Sequence, residues 1–381
     1  MAPPRRLRIA FAADLVGGVK TGGVVSAARF VEALRREHEV TVLATGPGAD
    51  GPGRLPPFHV PPFRRVMREM GFTFAWPRRD TLEAVIGRAD VLHVQFPFWL
   101  GVRATAVARR LGTPVVAASH VQPENLLLNV GLRAPPLADW TWRLFMRTVY
   151  ARADAVVCPS EFARQELVRR GLAVPAVVVS NGIGPAFRPG PAERPPRHQG
   201  RFLVLAVGRL APEKRLDLIV EGVRRSRHAG HVQLVVTGRG PEEARVRRLG
   251  ATLPLPAEVT FVPDEELVRL LRTADLLLHA SEVELEGMAV LEALGCGTPA
   301  LVADAPGSAA RHLAVADDLR FRPGDAADLA RRLDALVEAP ERLRQARARC
   351  LELAAGLSLE ASVRRLADVY ASVARPPPPR A

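Results

Sequence analysis

Short apolar runs alternate along the chain with longer stretches whose apolar residues recur every three or four positions. That is the pattern of parallel α/β layers. In the first half, the runs at 8–14, 40–46, 91–97, 114–120, 155–160 and 176–183 read as strands, and 24–37 and 101–111 as helices. At 188–200, RPGPAERPPRHQG, the pattern lapses into proline and polar residues, which reads as a linker. The alternation then restarts, with strands expected at 201–210, 232–238, 259–262, 275–281 and 299–304. The stretch 358–374 reads as an amphipathic helix, and 375–381, RPPPPRA, as a disordered tail.

A chain of 381 residues is too long for one ordinary core, and its 48% hydrophobic content lets two domains each bury a full one. The expected division is residues 1–187, a linker 188–200, and residues 201–357. Both domains read as doubly wound. Ligands of such sheets sit outside the carboxyl ends of the strands, and between two facing domains the natural site is a cleft. Cys158, Cys296 and Cys350 are scattered and odd in number. They form neither a disulfide framework nor a metal knuckle, and a reducing cytoplasm is the expected setting. Arg8 and Asp14 interrupt the first apolar run, so it reads as a strand rather than a signal peptide. No window of about twenty uninterrupted apolar residues occurs.

The strongest chemical signal is HASEVELEGMAVLEALGCGTPALVAD, residues 279–304. Gly287 stands where loop should become helix, and the helix should run from about Met288 to Leu294. Free N–H groups at such a start, on Gly287, Met288 and Ala289, suit a diphosphate. Glu292, one turn inside, can accept two ribose hydroxyls, and Glu284, before the helix, can accept hydroxyls of a sugar. One pair of glutamates alone would read as a solvated helix face. The agreement of glycines, spacing and the following strand changes that reading. The second signal is AVGRLAPEKRLDLIVEG, residues 206–222. Arg209 and Lys214 follow a strand end at Gly208, and two cations there suit a leaving diphosphate.

Together these motifs resemble the large retaining glycosyltransferase family that holds sucrose, glycogen, mannosyl and glycolipid synthases, with its two-domain GT-B fold. The resemblance spans nearly the whole chain. It implies that Arg209 and Lys214 bind the donor diphosphate, Glu292 the ribose, and Glu284 the transferred sugar. Gly238 and Gly240 match strand-end glycines beside the nucleotide. SNGI (180–183) matches the end of the N-terminal domain, although Gly184 replaces the usual Asp after it. The loop ahead of the first helix carries Gly22 and Gly23, which in the family approach the donor. Val19 stands where a Walker sequence needs glycine, so GGVKT is not a phosphate loop. His120 ends a strand where the family places a His near the reacting sugar. The helix 358–374 is expected to return toward the N-terminal domain.

The strings H-x-Q-P-E-N (120–125) and E-x-E-G-M (284–288) resemble the diacylglycerol or lipid glucosyltransferase branch. No D-x-D occurs, so cations and a helix start are expected to hold the donor without a metal or other cofactor. The expected donor is a UDP- or GDP-linked sugar. No protein nucleophile is obvious, and the leaving diphosphate itself is expected to take the acceptor's proton.

The formal charge is +13, and only Lys20 and Lys214 among the 53 basic residues are lysines. Such arginine reads equally as coding bias or as a surface for phosphorylated substrates, anionic lipid or nucleic acid, and charge alone does not choose among these. The segment 58–79 mixes Phe58, Phe63, Phe72, Phe74 and Trp76 with arginines. It reads as a membrane-interface element or as ordinary packing. The segment 140–152 is similar and reads better as a core helix. The expected acceptor is thus a membrane lipid, with the protein cytoplasmic and peripheral on the inner face. A soluble acceptor and a nucleotide-sugar epimerase are the enzymatic alternatives. A basic nucleic-acid-binding protein is the non-enzymatic one, and no recognition helix, zinc knuckle or RNA-binding aromatic pair supports it, so nucleic acid is not an expected partner.

Overall fold

Strand β1 (Arg8–Leu15) is buried at every position after Arg8, so it needs cover on both faces, as the inner strand of a parallel sheet has. The computed structural model describes residues 5–17, 22–49, 51–60 and 72–374, and shows that arrangement twice. The chain falls into two units, Met1–Asn181 with Leu359–Ala381, and Gly182–Ser358.

In the first unit, β2 (Glu39–Thr45), β5 (Val91–Val94), β6 (Val115–Ala118), β7 (Ala155–Cys158) and β8 (Ala176–Val178) join β1 in the order β2-β1-β5-β6-β7-β8. All neighbours are parallel. A small antiparallel pair, β3 (Pro57–Phe58) and β4 (Phe74–Ala75), was not expected. The helices that matter below are α1 (Gly22–Leu34), α2 (Trp99–Leu111), α3 (Pro135–Thr148) and, from the chain's last stretch, Leu359–Val373. That last helix packs on α1, β6 and β7.

The second unit repeats the plan. Its strands are β9 (Phe202–Val207), β10 (Val232–Thr237), β11 (Glu258–Thr260), β12 (Leu276–His279), β13 (Ala300–Ala303) and β14 (Arg320–Phe321), in the order β11-β10-β9-β12-β13-β14, all parallel. Period-two geometry sends Phe202, Val204 and Ala206 into one core and Leu203 and Leu205 into another, on opposite faces of β9. Helices α4 (Leu216–Arg225) and α5 (Met288–Gly295) follow β9 and β12. The helix Leu359–Val373 is called α6 below.

Several expected strands end early. The ladder stops at Val94, Ala118 and His279, where the sequence suggested 97, 120 and 281. Gln95, His120 and Ser281 therefore stand beyond the strand ends, on the edge where ligands of such sheets bind.

The domain boundaries also need correction. The break falls after Asn181, not after 187, because Ile183 and Phe187 are buried in the second unit's core with Val290 and Leu294. Residues 188–200 are not a free linker. Arg194 donates to both carboxylate oxygens of Asp275 at 2.9 Å, and fully buried His198 lies 2.8 Å from Glu258. Among the described residues no helix is long and apolar enough to cross a membrane. The tail 375–381, Lys20, and Phe63, Arg64, Arg65 and Arg68 of the aromatic segment lie outside the described residues.

Candidate active site

In each sheet the strand order reverses once, between β1 and β5 and between β9 and β12. Connections leaving the carboxyl ends of such neighbours run to opposite faces and open a crevice between them. The sequence-predicted residues gather at these two places, one group in each unit.

In the second unit, the loop after β9 carries Arg209 and Lys214, and the segment after β12 carries Glu284. The two are joined at the carbonyl of Glu213, which accepts from the Glu282 N–H at 3.1 Å and from the Ser281 hydroxyl at 3.3 Å. This brings the Lys214 ammonium onto the Glu284 carboxylate as an ion pair. His279 Nε2 lies 3.4 Å from the same carboxylate oxygen, long for a hydrogen bond. Burial works to raise the Glu284 pKa, but the Lys214 charge and His279 outweigh it and hold the carboxyl well below the usual range. Glu284 is therefore an anion, an acceptor only, at any working pH. Its backbone is pinned as well, by Glu284 N–H to the Gly307 carbonyl at 3.2 Å and Ala309 N–H to the Glu284 carbonyl at 2.8 Å.

Arg209 donates through Nη2 to Glu213 Oε1 at 2.6 Å. Its Nη1 and Glu213 Oε2 are buried and make no hydrogen bond among the described residues. Glu213 was not singled out from the sequence. Its signal was there, an acid four residues after one cation and next to another in R-L-A-P-E-K.

Gly238 and Gly240 follow β10 and touch this loop closely. A Cβ at Gly238 would sit 1.8 Å from the Gly208 carbonyl oxygen, and one at Gly240 would sit 2.3 Å from that of Leu210. No other residue fits at either place. Gly287 begins helix α5 with φ at 105°, a left-handed conformation natural to glycine. Its carbonyl accepts from the amides of Val290 and Leu291, at 2.9 Å and 3.1 Å. The first-turn amides of Met288 and Ala289 have no intrahelical acceptor, by the geometry of a helix start. Glu292 lies one turn further on, 9% exposed.

In the first unit, Gly22 and Gly23 open helix α1, and His120 follows β6. The structure brings Gly23 and His120 together. A Cβ on Gly23 would lie 2.8 Å from the Phe96 ring and 3.8 Å from His120 Cβ. Burial, with His93 nearby, pushes the His120 pKa down to about 3, so its imidazole is neutral. Asp14, noticed in the sequence only as an interruption, is buried near the end of β1. Burial pushes its pKa up to about 7, although the Ala75 N–H donates to it at 3.2 Å.

The aromatic segments resolve differently from one another. Phe72 and Phe74 turn toward Phe96 and Phe98, with ring centroids 5.3–5.8 Å apart, and Phe98 meets Phe145 of α3 at 6.3 Å. Trp76 remains 46% exposed. On α3, Trp142 and Phe145 are buried as a core helix requires, while Trp140 is 56% exposed. Among the described residues no group of three or more His, Cys, Asp or Glu side chains is placed to hold a metal ion.

Two family models match the chain, Glycosyltransferase Family 4 over residues 20–187 and Glycosyl transferases group 1 over residues 192–350. A GDP-mannose-dependent alpha-mannosyltransferase of Mycobacterium tuberculosis is 30% identical over 79% of this chain and 80% of its own. An alpha-monoglucosyldiacylglycerol synthase of Streptococcus pneumoniae is 28% identical over 56% of this chain and 51% of its own. The Anabaena protein HepE, solved with UDP-glucose, superposes with a TM-score of 0.73 over 96% of this chain and 100% of its own, at 15% identity, a likeness of fold.

Proposed function

The chain belongs to the glycosyltransferases of family 4 and group 1, and from that premise we propose that it moves a hexose from a nucleotide diphosphate to an acceptor hydroxyl with retention. The observation that carries this is the grouping of Arg209, Lys214, Glu284 and the start of α5 where the second sheet's strand order reverses.

Each residue has a chemical part in this reading. Arg209 and Lys214 neutralise the diphosphate as it leaves, and the amides of Gly287, Met288 and Ala289 add the partial positive charge of a helix start. Glu284, an obligate acceptor, takes hydroxyls of the transferred sugar. Glu292 takes the ribose hydroxyls. Gly238 and Gly240 let the backbone approach the nucleotide. The grouping of Gly22, Gly23 and neutral His120 in the first unit supports the donor-side part that the family resemblance gives them, with His120 as a hydrogen-bond partner. The departing diphosphate removes the acceptor's proton on the same face. These cations do the work that a metal does in other nucleotide-sugar enzymes, so no metal is required.

The acceptor in this reading is a membrane lipid such as diacylglycerol, reached from the cytoplasmic leaflet. The name of the Streptococcus relative and the basic, aromatic character of 58–79 support it. The packing of Phe72 and Phe74 on Phe96 and Phe98 takes those two rings out of such an interface and leaves Trp76 exposed, so donor and acceptor need separate tests. Calorimetric titration with GDP-mannose and UDP-glucose tests the donor. Saturable binding of one is expected, and heat from neither would remove the reading. Co-sedimentation with anionic vesicles tests the acceptor. Binding should fall with salt and with Arg64, Arg65 and Arg68 changed to Ser, whereas indifference to vesicles would leave only the soluble acceptor.

A further inference from the structure

Helix α6 reaches the start of helix α1 through three side chains of the first unit. Tyr370 Oη lies 2.8 Å from His93 Nδ1. His93 Nε2 lies 2.9 Å from Gln95 Oε1, and Gln95 Nε2 donates to the Gly23 carbonyl at 3.2 Å. All three side chains are buried. The His93 ring also stacks on Phe11, with centroids 4.2 Å apart, which fixes its plane.

The direction of every proton follows from the far end of the chain. A carbonyl only accepts, so Gln95 must turn its NH₂ group toward Gly23. Its amide oxygen then faces His93, and that oxygen needs an Nε2–H. Burial keeps His93 neutral, with its pKa pushed down to about 4. A neutral ring protonated on Nε2 has a bare Nδ1, which accepts from the Tyr370 hydroxyl. Three donors thus point one way and end on Gly23.

We propose that Tyr370, His93 and Gln95 are positioning residues that fix the Gly22–Gly23 start of α1 beside His120 for the transfer reaction. This rests on the reading of Gly22, Gly23 and His120 as donor-side groups. The links depend on one another. Without the Tyr370 hydroxyl, Nδ1 is a buried acceptor with no donor, and the Gln95 oxygen alone holds the proton on Nε2. The other tautomer sets a ring lone pair against Gln95 Oε1. Turning the amide to relieve that sets an oxygen against the Gly23 carbonyl.

Gln95→Glu is the discriminating variant. At pH 8 its carboxylate still accepts from His93 but offers Gly23 no donor. Protonated, the carboxyl recovers both bonds. We expect kcat for hydrolysis of GDP-mannose or UDP-glucose, with water as acceptor, to fall roughly tenfold at pH 8, a loss of one net hydrogen bond's worth of positioning. It should recover toward the wild-type value near pH 5, with the donor KM unchanged throughout. Tyr370→Phe should lower kcat without that recovery. Combined with Gln95→Leu it should cost no more than Gln95→Leu alone, since both break one chain. Amide hydrogen exchange over the first turn of α1 should rise in every variant at pH 8, a readout that needs no substrate. If the protein hydrolyses neither nucleotide sugar, the function reading fails and exchange alone decides the positioning role. A pH-independent deficit in Gln95→Glu, additive losses in the double variant, or unaltered exchange in the first turn of α1 would overturn it.

Discussion

The Lys214 ammonium and the Glu284 carboxylate form an ion pair that ties the loop after β9 to the segment after β12. Each neutralises the other in the structure described. A diphosphate arriving at Lys214 would draw the ammonium toward itself and leave Glu284 to the sugar's hydroxyls. In the proposed reaction the pair would present a charge for the leaving group and an acceptor for the group transferred.

Lys214→Ala and Arg209→Ala should each cut turnover about a hundredfold, the roughly 3 kcal/mol attached to one preorganised donor at a developing negative charge. Circular dichroism and melting should show an intact fold. Near-normal kcat in both variants would place the diphosphate elsewhere.

Glu292→Ala should weaken nucleotide-sugar binding and leave kcat less affected. The residue sits one turn inside the glycine-started helix, too far along for the phosphates and suited to the ribose. Calorimetry with the preferred donor reads this directly, and unchanged affinity would sink the assignment.

Asp14→Asn should change how stability depends on pH. The folded pKa, about 7, lies above the ordinary 3.8, so the folded state holds a proton that the unfolded chain has released. Wild-type stability should therefore fall as pH rises from about 4 to about 7, by at most on the order of 4 kcal/mol. The asparagine variant still accepts from Ala75 and has no proton to lose, so its denaturation midpoint should lack that fall. Parallel urea titrations of the two proteins between pH 4.5 and 8 make the comparison.

If Arg209, Lys214 and the α5 amides supply the positive charge, as proposed, activity should persist in EDTA. Activity lost to the chelator and restored by Mg²⁺ or Mn²⁺ would contradict that.

The parts that the sequence made legible are local patterns. An apolar run such as 202–207, too short for a helix and rich in β-branched and aromatic residues, reads as an inner strand, and the sequence around Gly287 announces a helix start within a few residues. Glu213 is equally local in sequence, but an acid in a loop carries no sign there of the burial that the structure gives it. Other features depend on partners remote in sequence. Tyr370 and His93 are 277 positions apart, so only the topology reveals their hydrogen bond. Ile183 and Phe187 are apolar whichever core they join, so the sequence alone does not place the boundary ahead of them. Phe72 and Phe74 belong to a basic aromatic stretch that suits an interface, and only the positions of Phe96 and Phe98 show that they turn inward.

Helix α6 follows the whole of the second unit in the chain yet belongs to the unit that precedes it. A ribosome delivers the β-strands of that unit, then the whole of the second unit, and only afterwards Leu366, Val369 and Tyr370, which are buried in the first. At about 5–20 residues per second the interval is on the order of ten to forty seconds. Through that interval the surface of α1, β6 and β7 that α6 will cover is open to water, and His93 lacks its tyrosine. The second unit can fold while the first waits for its closing piece, so the nascent chain passes through a stage in which the older half is the unfinished one.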